Sequence, residues 1–385
     1  MKRPIFATFI SDKPMNAKNL KIFIGPTDIA RIGATLADAF RKRGIKVTVV
    51  SGELNPTQDG MKYDIVVSTR GKNIIQKVFM YLHLFLTVMF QHNAFIFLFG
   101  VSLLPYNLDL PILKLLGKTT VMWFVGSDIS NYECLEAAAK KAGVKYYISK
   151  DQGMGTGDLK SKLRMIHKIE KYVDYIISYP SISQLLTRKY IRMDIPLDIN
   201  NITYNKTPNK IALIVHAPTD DKIKGTTQVL AAMKRLKSEG YDFELQLFKG
   251  MSNVQVLKAL SEADISVDQL FAHFPGMFAV ESMAAGCVVL GGNIPEFSGF
   301  PKESPIIHTD PDNIYQNLKI LLGNPRLRQE LGQKGRKYVE KYHNSLKIAD
   351  DFIRLLTTGE TEEIYTAKQS VKEIINQAKK VNDDF

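Results

Sequence analysis

Three short stretches in the second half of the chain carry the residue types needed to hold a phosphorylated ligand. The most informative, HFPGMFAVESMAAGCVVLGG at 273–292, puts a glycine turn, a helix start and one carboxylate in a defined order. Gly276 ends a loop directly before a helical pattern. The backbone N–H groups of Gly276, Met277 and Phe278 are therefore expected to face a phosphate, because a helix N-terminus leaves donors unsatisfied and carries partial positive charge. Glu281 follows one turn further in, among Phe278, Ala279, Val280, Met283 and Ala284. A carboxylate there would repel a phosphate placed against it but accepts two hydroxyls well, so a ribose just beyond a diphosphate suits it. In HAPTDDKIKGTTQVL at 216–230, a strand ends, a polar loop follows, and Lys224-Gly225 precede a helix. Lysine is a compact charge able to neutralise a departing diphosphate, and glycine lets the backbone approach. LFKG at 247–250 supplies a third loop, with Lys249 and Gly250.

The first half offers fewer polar candidates. Asp128, in GSD at 126–128, could orient an acceptor hydroxyl or cap the helix that follows, a role aspartate fills commonly. Gly25, at the end of the first strand, could admit an acceptor or form a plain strand-to-helix turn. His216 at a strand end reads as a hydrogen-bonded loop histidine, and Trp123 as core. GMGTG at 153–157 lacks the preceding strand and following helix of a nucleotide fingerprint and is expected to be a loop. The seven histidines and two cysteines show no metal-ligand spacing, so no metal is expected.

Two series of short apolar runs alternating with helical patterns must position these groups, and such alternation reads as parallel sheets with crossover helices. The first comprises 20–25, 28–44, 45–52, 63–70, 94–100, 119–126, 144–149 and 173–179; the second begins at 210 and runs through 227–240, 243–250, 253–263 and 264–270. Prolines and an asparagine-rich stretch between 180 and 210 read as a connector. The expected fold class is α/β, two tandem Rossmann-like domains with a cleft between them: 1–205, 206–346, and C-terminal helices at 347–385 packing back. Open α/β sheets bind ligands outside the carboxyl ends of their strands.

In this order, GSD, Lys224-Gly225 and the ending AVESMAAGCVVLGG resemble the GT-B glycosyltransferases of the retaining family-four type, over roughly residues 20–356. The resemblance implies transfer of a sugar from a nucleoside diphosphate sugar, a UDP- or GDP-sugar, with retained configuration and without metal or other cofactor. It assigns Lys224 to the diphosphate, Glu281 to the ribose and Gly276 to the loop between, and it places His273 where relatives often carry a glutamate touching the donor sugar. Val125 stands where many relatives carry a histidine, and the basic residue often found before the Lys-Gly pair has no clear counterpart. The site expected is thus Asp128, Lys224 and Glu281 for catalysis; Lys224, Gly225, Lys249, Gly250, His273, Gly276, Met277, Phe278 and Glu281 for the donor; Gly25 and Asp128 for the acceptor. A nucleotide-sugar-binding pseudoenzyme and a GT-B-shaped nucleotide-sugar epimerase are the alternatives.

Of 385 residues, 45% are hydrophobic and 23% charged, which fits neither a disordered nor a multi-span membrane chain. Residues 1–205 hold 28 Lys and Arg against 16 Asp and Glu, whereas 206–385 are balanced at 23 each, so the whole net charge of +12 lies in the first half. That half is expected to meet something anionic, such as a phospholipid surface or a phosphorylated acceptor, with a glycan or lipid-linked envelope precursor as the acceptor class. Nucleic acid is not expected, for want of a recognition motif. The apolar run 78–90 is about 13 residues where a spanning helix needs about 20, and reads as a buried or interfacial helix. The N-terminus lacks the features of a secretory signal, so a cytoplasmic protein, peripheral on the inner face of a membrane, is the expectation.

Overall fold

The computed structural model describes residues 16–54, 58–145, 147, 158–204, 207–299 and 301–367. The 153–157 loop, most of the run at 144–149, the boundary at 205–206 and the tail beyond 367 lie outside the described residues.

Seven strands of the first half, β1 (Lys21–Ile24), β2 (Lys46–Ser51), β3 (Ile65–Val66), β4 (Ala94–Leu98), β5 (Thr119–Trp123), β6 (Tyr175–Ile177) and β7 (Tyr190–Ile191), pair in parallel. They are interleaved with α1 (Ile32–Lys42), α2 (Ile74–Gln91), α3 (Asp109–Leu115), α4 (Tyr132–Lys141) and α5 (Leu159–Tyr172). The second half builds a parallel sheet from β8 (Ala212–His216), β9 (Phe243–Leu247), β10 (Ile265–Val267), β11 (Val288–Gly291) and β12 (Ile307–His308). Its helices are α6 (Asp221–Lys224), α7 (Thr226–Ser238), α8 (Asn253–Glu262), α9 (Met277–Ala285), α10 (Pro295–Ser298), α11 (Ile314–Leu322) and α12 (Pro325–Tyr342). The chain then returns through α13 (Ser345–Thr358) to β13 (Ile364–Tyr365), which pairs antiparallel with β7. Ile364, read from sequence within a helical tail, therefore lies on a strand; two residues of edge pairing beside buried Tyr190 outweigh a weak helical pattern.

Strand order is β13-β7-β6-β5-β4-β1-β2-β3 in the first sheet and β12-β11-β10-β8-β9 in the second. The order reverses beside β1 and again beside β8, and a crevice opens at the carboxyl ends of strands where it does so. Central strands such as β4 are buried along their whole length, as sheets covered on both faces require. At the edge, the expected strand over 63–70 shrinks to two exposed residues. Right-handed crossovers set α2, α3 and α5 on one face of the first sheet and α1 on the other. There α13 packs on α1, with Phe352 edge-on to Phe40 at 6.0 Å and tilted on Trp123 at 5.6 Å. Trp123 is fully buried, as the sequence suggested.

Candidate functional site

β8 and β10 are neighbours, and their ends set the floor of the second domain's crevice. His216 closes β8 opposite Val267, fully buried, its Nδ1 2.8 Å from the Val267 carbonyl and its Nε2 3.0 Å from Thr226 Oγ1. Burial pulls its pKa below the usual histidine range. It is a structural tie, as its sequence context suggested. The polar loop that follows turns into α6 under a cap from Asp220, whose carboxylate accepts from Lys222 N at 2.8 Å and Ile223 N at 3.1 Å. Lys224 is the last residue of that short helix. Gly225 then takes a left-handed backbone (φ 69°), with Leu270 only 3.0 Å from where a Cβ would sit, so both conformation and space ask for glycine.

Lys224 is nearly buried, and its Nζ is paired with Asp268 at the end of β10. The other oxygen of Asp268 accepts from Gly276 N at 3.1 Å. One carboxylate thus joins the lysine to the start of α9. Gly276, Met277 and Phe278 line the same cavity of about 520 Å³ as Lys224, Gly250, Asn253 and Glu281. The three stretches singled out in the sequence therefore meet at one place.

Glu281 is buried on α9 and accepts from Asn253 Nδ2 at 3.0 Å. It also pairs with Arg31, which reaches across from the first domain and donates to Asn253 Oδ1 as well. Arg31 sits in the loop after β1, at the first sheet's own reversal, with a left-handed backbone (φ 63°) immediately after Ala30 (φ 51°). Such geometry in residues other than glycine costs on the order of 1 kcal/mol or more and persists where surroundings impose it. Asp28, accepting from Gly33 N at 2.8 Å and Ala34 N at 3.1 Å, fixes the loop to α1. Burial lowers the Arg31 pKa to about 10, against the opposing pull of Asp28. Arg31, Asn253 and Asp268 were not found by sequence reasoning: an arginine in a loop, a residue starting a helix and an aspartate ending a strand are each common, and their convergence spans up to 250 positions.

A second cavity of about 430 Å³ lies beside the first, walled by Ile29, Trp123, Val125 and Ser127 of the first domain and by Phe274, Gly276 and Met277 of the second. This is the cleft between the domains.

Several expected site residues do other work. Asp128 does not cap α4; Asn131 does, accepting from Cys134 N at 3.2 Å. The buried Asp128 carboxylate instead folds back on its own loop, accepting from Gly126 N at 2.8 Å and Val125 N at 3.3 Å, as short acidic side chains readily do. Those bonds shape the Val125–Ser127 wall of the cleft. Burial raises its pKa to about 6, against these amide bonds. His273 is buried edge-on to Phe297 at 5.5 Å, and burial, with His308 nearby, lowers its pKa to about 4. A neutral imidazole packs there with little cost, whereas an ionised carboxylate would not. Lys249 is half-exposed and paired with Asp221 at 2.7 Å, while its neighbour Gly250 borders the cavity. Gly25 is required by packing, since a Cβ there would lie 2.5 Å from the Val50 carbonyl oxygen.

No protein-family model and no curated protein matches this chain. Solved structures do match. Sucrose-phosphate synthase from Thermosynechococcus elongatus aligns with 88% of this chain and 98% of its own, with a TM-score of 0.60 at 13% identity. Anabaena HepE, solved with UDP-glucose, covers 87% of this chain and 98% of its own, with a TM-score of 0.58 at 10% identity. The chain has the GT-B fold. WaaG, a glycosyltransferase of lipopolysaccharide biosynthesis, shares it over 88% of this chain and all of its own, with a TM-score of 0.52 at 12% identity. In GT-B terms, the two sheet reversals face each other across the cleft, and the Lys224–Glu281 cavity is lined mostly by the C-terminal domain, with Ala30 and Arg31 reaching it from the other.

Proposed function

We propose that this GT-B chain is a glycosyltransferase that takes a sugar from a nucleoside diphosphate sugar held by the C-terminal domain and passes it to an acceptor held against the N-terminal domain. One observation carries the reading: Lys224, the start of α9 and Glu281, groups that suit a diphosphate and a ribose, line a single cavity. The lysine has three N–H donors, and Asp268 takes one and aims the others. The helix's own bonding leaves the amides of its first turn without intrahelical partners, so Met277 and Phe278 can meet phosphate oxygens. Charge grows on the diphosphate as the sugar departs, so both groups act most strongly in the transition state.

Glu281 receives the ribose hydroxyls once Arg31 has left it. The guanidinium then stands beside the diphosphate and supplies a cation from the opposite domain, which couples donor binding to domain geometry. Retention of configuration, independence from metal, and a glycan or lipid-linked acceptor complete the reading, and these rest on the sequence resemblance.

UDP-sugars are the first donors to test, given the UDP-glucose bound to HepE. Calorimetry with UDP, GDP and their sugars should show one nucleotide binding to wild type and failing with Lys224→Ala, and acceptor-dependent release of that nucleotide should follow. Binding without release would favour the pseudoenzyme reading, which His273 and Val125 at their positions motivate. Conversion of the nucleotide sugar with no acceptor would favour an epimerase, and absence of binding would reject the donor site.

A further inference from the structure

The N-terminal domain leaves one helix face uncovered. On α2, Leu84, Phe85, Val88 and Met89 are buried against the core, yet Ile75, Phe79, Leu86 and Phe90 are 63, 66, 47 and 74% exposed. At 100° per residue these four fall within an arc of about 60°, forming one stripe along a helix about 27 Å long, opposite the buried face. Ile74 and Val78, in the first turns of the helix, are exposed as well. Soluble monomers seldom leave such a contiguous apolar strip in water.

The surroundings of the stripe are cationic. Phe90 borders a groove of about 410 Å³ lined by Lys18, Lys21, Lys46 and Lys118, and no described carboxylate lines it. Lys118 Nζ donates to the His92 carbonyl at 2.8 Å, anchoring one member of the cluster. Further along α2, Tyr81 borders a cavity of about 690 Å³ that also holds Arg164 and Lys168 and reaches Pro26 and Thr27 beyond β1.

We propose that the α2 stripe and the four-lysine groove dock this domain on an anionic lipid bilayer, the helix lying in the plane of the interface. The apolar side chains enter the boundary between headgroups and acyl chains, and the lysines meet lipid phosphates. The helix is long enough to qualify as a membrane span by composition. It cannot leave the domain to cross, however, because Leu84, Phe85 and Val88 are part of the core and β3 and β4 hold its ends. A second copy is the poorer occupant: a two-fold interface would bring the same lysine cluster to both sides. The inference stands apart from the donor reading and does not depend on it.

The test is co-sedimentation of the full chain with vesicles of phosphatidylcholine alone and of phosphatidylcholine mixed with phosphatidylglycerol. Binding is expected only to the anionic vesicles, to weaken as salt rises, and to fall at least about tenfold in Phe79→Ser/Phe90→Ser and in Lys18→Gln/Lys21→Gln/Lys46→Gln. All five side chains are exposed, so unchanged melting temperatures will show that the variants fold. Failure of wild type to bind either vesicle, or equal binding by the variants, overturns the proposal. A dimer in solution that the phenylalanine variant abolishes would assign the face to a second copy instead.

Discussion

The two domains use charge in opposite ways. In the C-terminal domain the informative charges are buried and already paired, Lys224 with Asp268 and Glu281 with Arg31. The N-terminal domain carries the chain's whole excess of positive charge, and Lys18, Lys21 and Lys46 stand in the open beside an uncovered apolar helix. Buried pairs fix donors and acceptors to within ångströms, which suits a small ligand whose groups must be met one by one. Exposed lysines on flexible stems set no such geometry and suit an extended anionic partner. The contrast also predicts sensitivity: removing half of a buried pair strands a charge, whereas removing a surface lysine does not.

The largest effect expected is at Lys224. Lys224→Ala should lower turnover by about 10²–10³-fold, the loss typical of one transition-state donor, as measured by steady-state nucleotide release. It also leaves Asp268 buried without its cation, so melting should fall as well. Lys224→Met/Asp268→Leu should recover much of the melting temperature while leaving turnover low, and recovery of both would place Lys224 outside the chemistry.

Next is the pH response of the buried His273. With a folded pKa of about 4 against an ordinary 6.5, its neutral form stabilises the fold above pH 6.5. The unfolded chain takes up the proton first as pH falls, so up to about 3 kcal/mol is lost progressively between pH 6.5 and pH 4. His273→Phe, which cannot titrate, should flatten the melting curve over that window, and an unchanged slope would reject the assignment.

Glu281→Gln should weaken nucleoside diphosphate binding roughly 10- to 100-fold, as expected for a charged hydrogen-bond acceptor with two ligand hydroxyls, and calorimetry reads this directly. The smallest effect sharpens the comparison most. Arg31→Gln frees Glu281, so a nucleoside without phosphates should bind about three- to fivefold more tightly because the competent pocket is more populated. The diphosphate form should gain less, having lost a cation. Equal gains would mean that Arg31 only blocks.

The elements that carry Lys224, Gly225, Gly276 and Glu281 were legible in the sequence because each is a local event: a strand ends, a loop turns, a helix begins. The alternation of apolar runs and helical patterns likewise announced parallel sheets, since burial on both faces and crossover helices leave their mark within a few dozen residues. The surroundings of His273 and Asp128 were not legible, for a shared reason. Their positions in the chain are right for the site, but a side chain's direction is decided by what it packs on. Phe297 draws one inward, and the Val125 and Gly126 amides hold the other.

The apolar run near 78–90 shows where the division falls. The sequence alone determined that a segment there is strongly apolar, because composition is a property of the segment itself. Which half of that helix is covered, and that Arg31 crosses to Glu281 some 250 positions away, only the tertiary structure decided. Burial and ion pairing between distant segments are set by how two sheets and their helices come together, and no local pattern encodes that meeting.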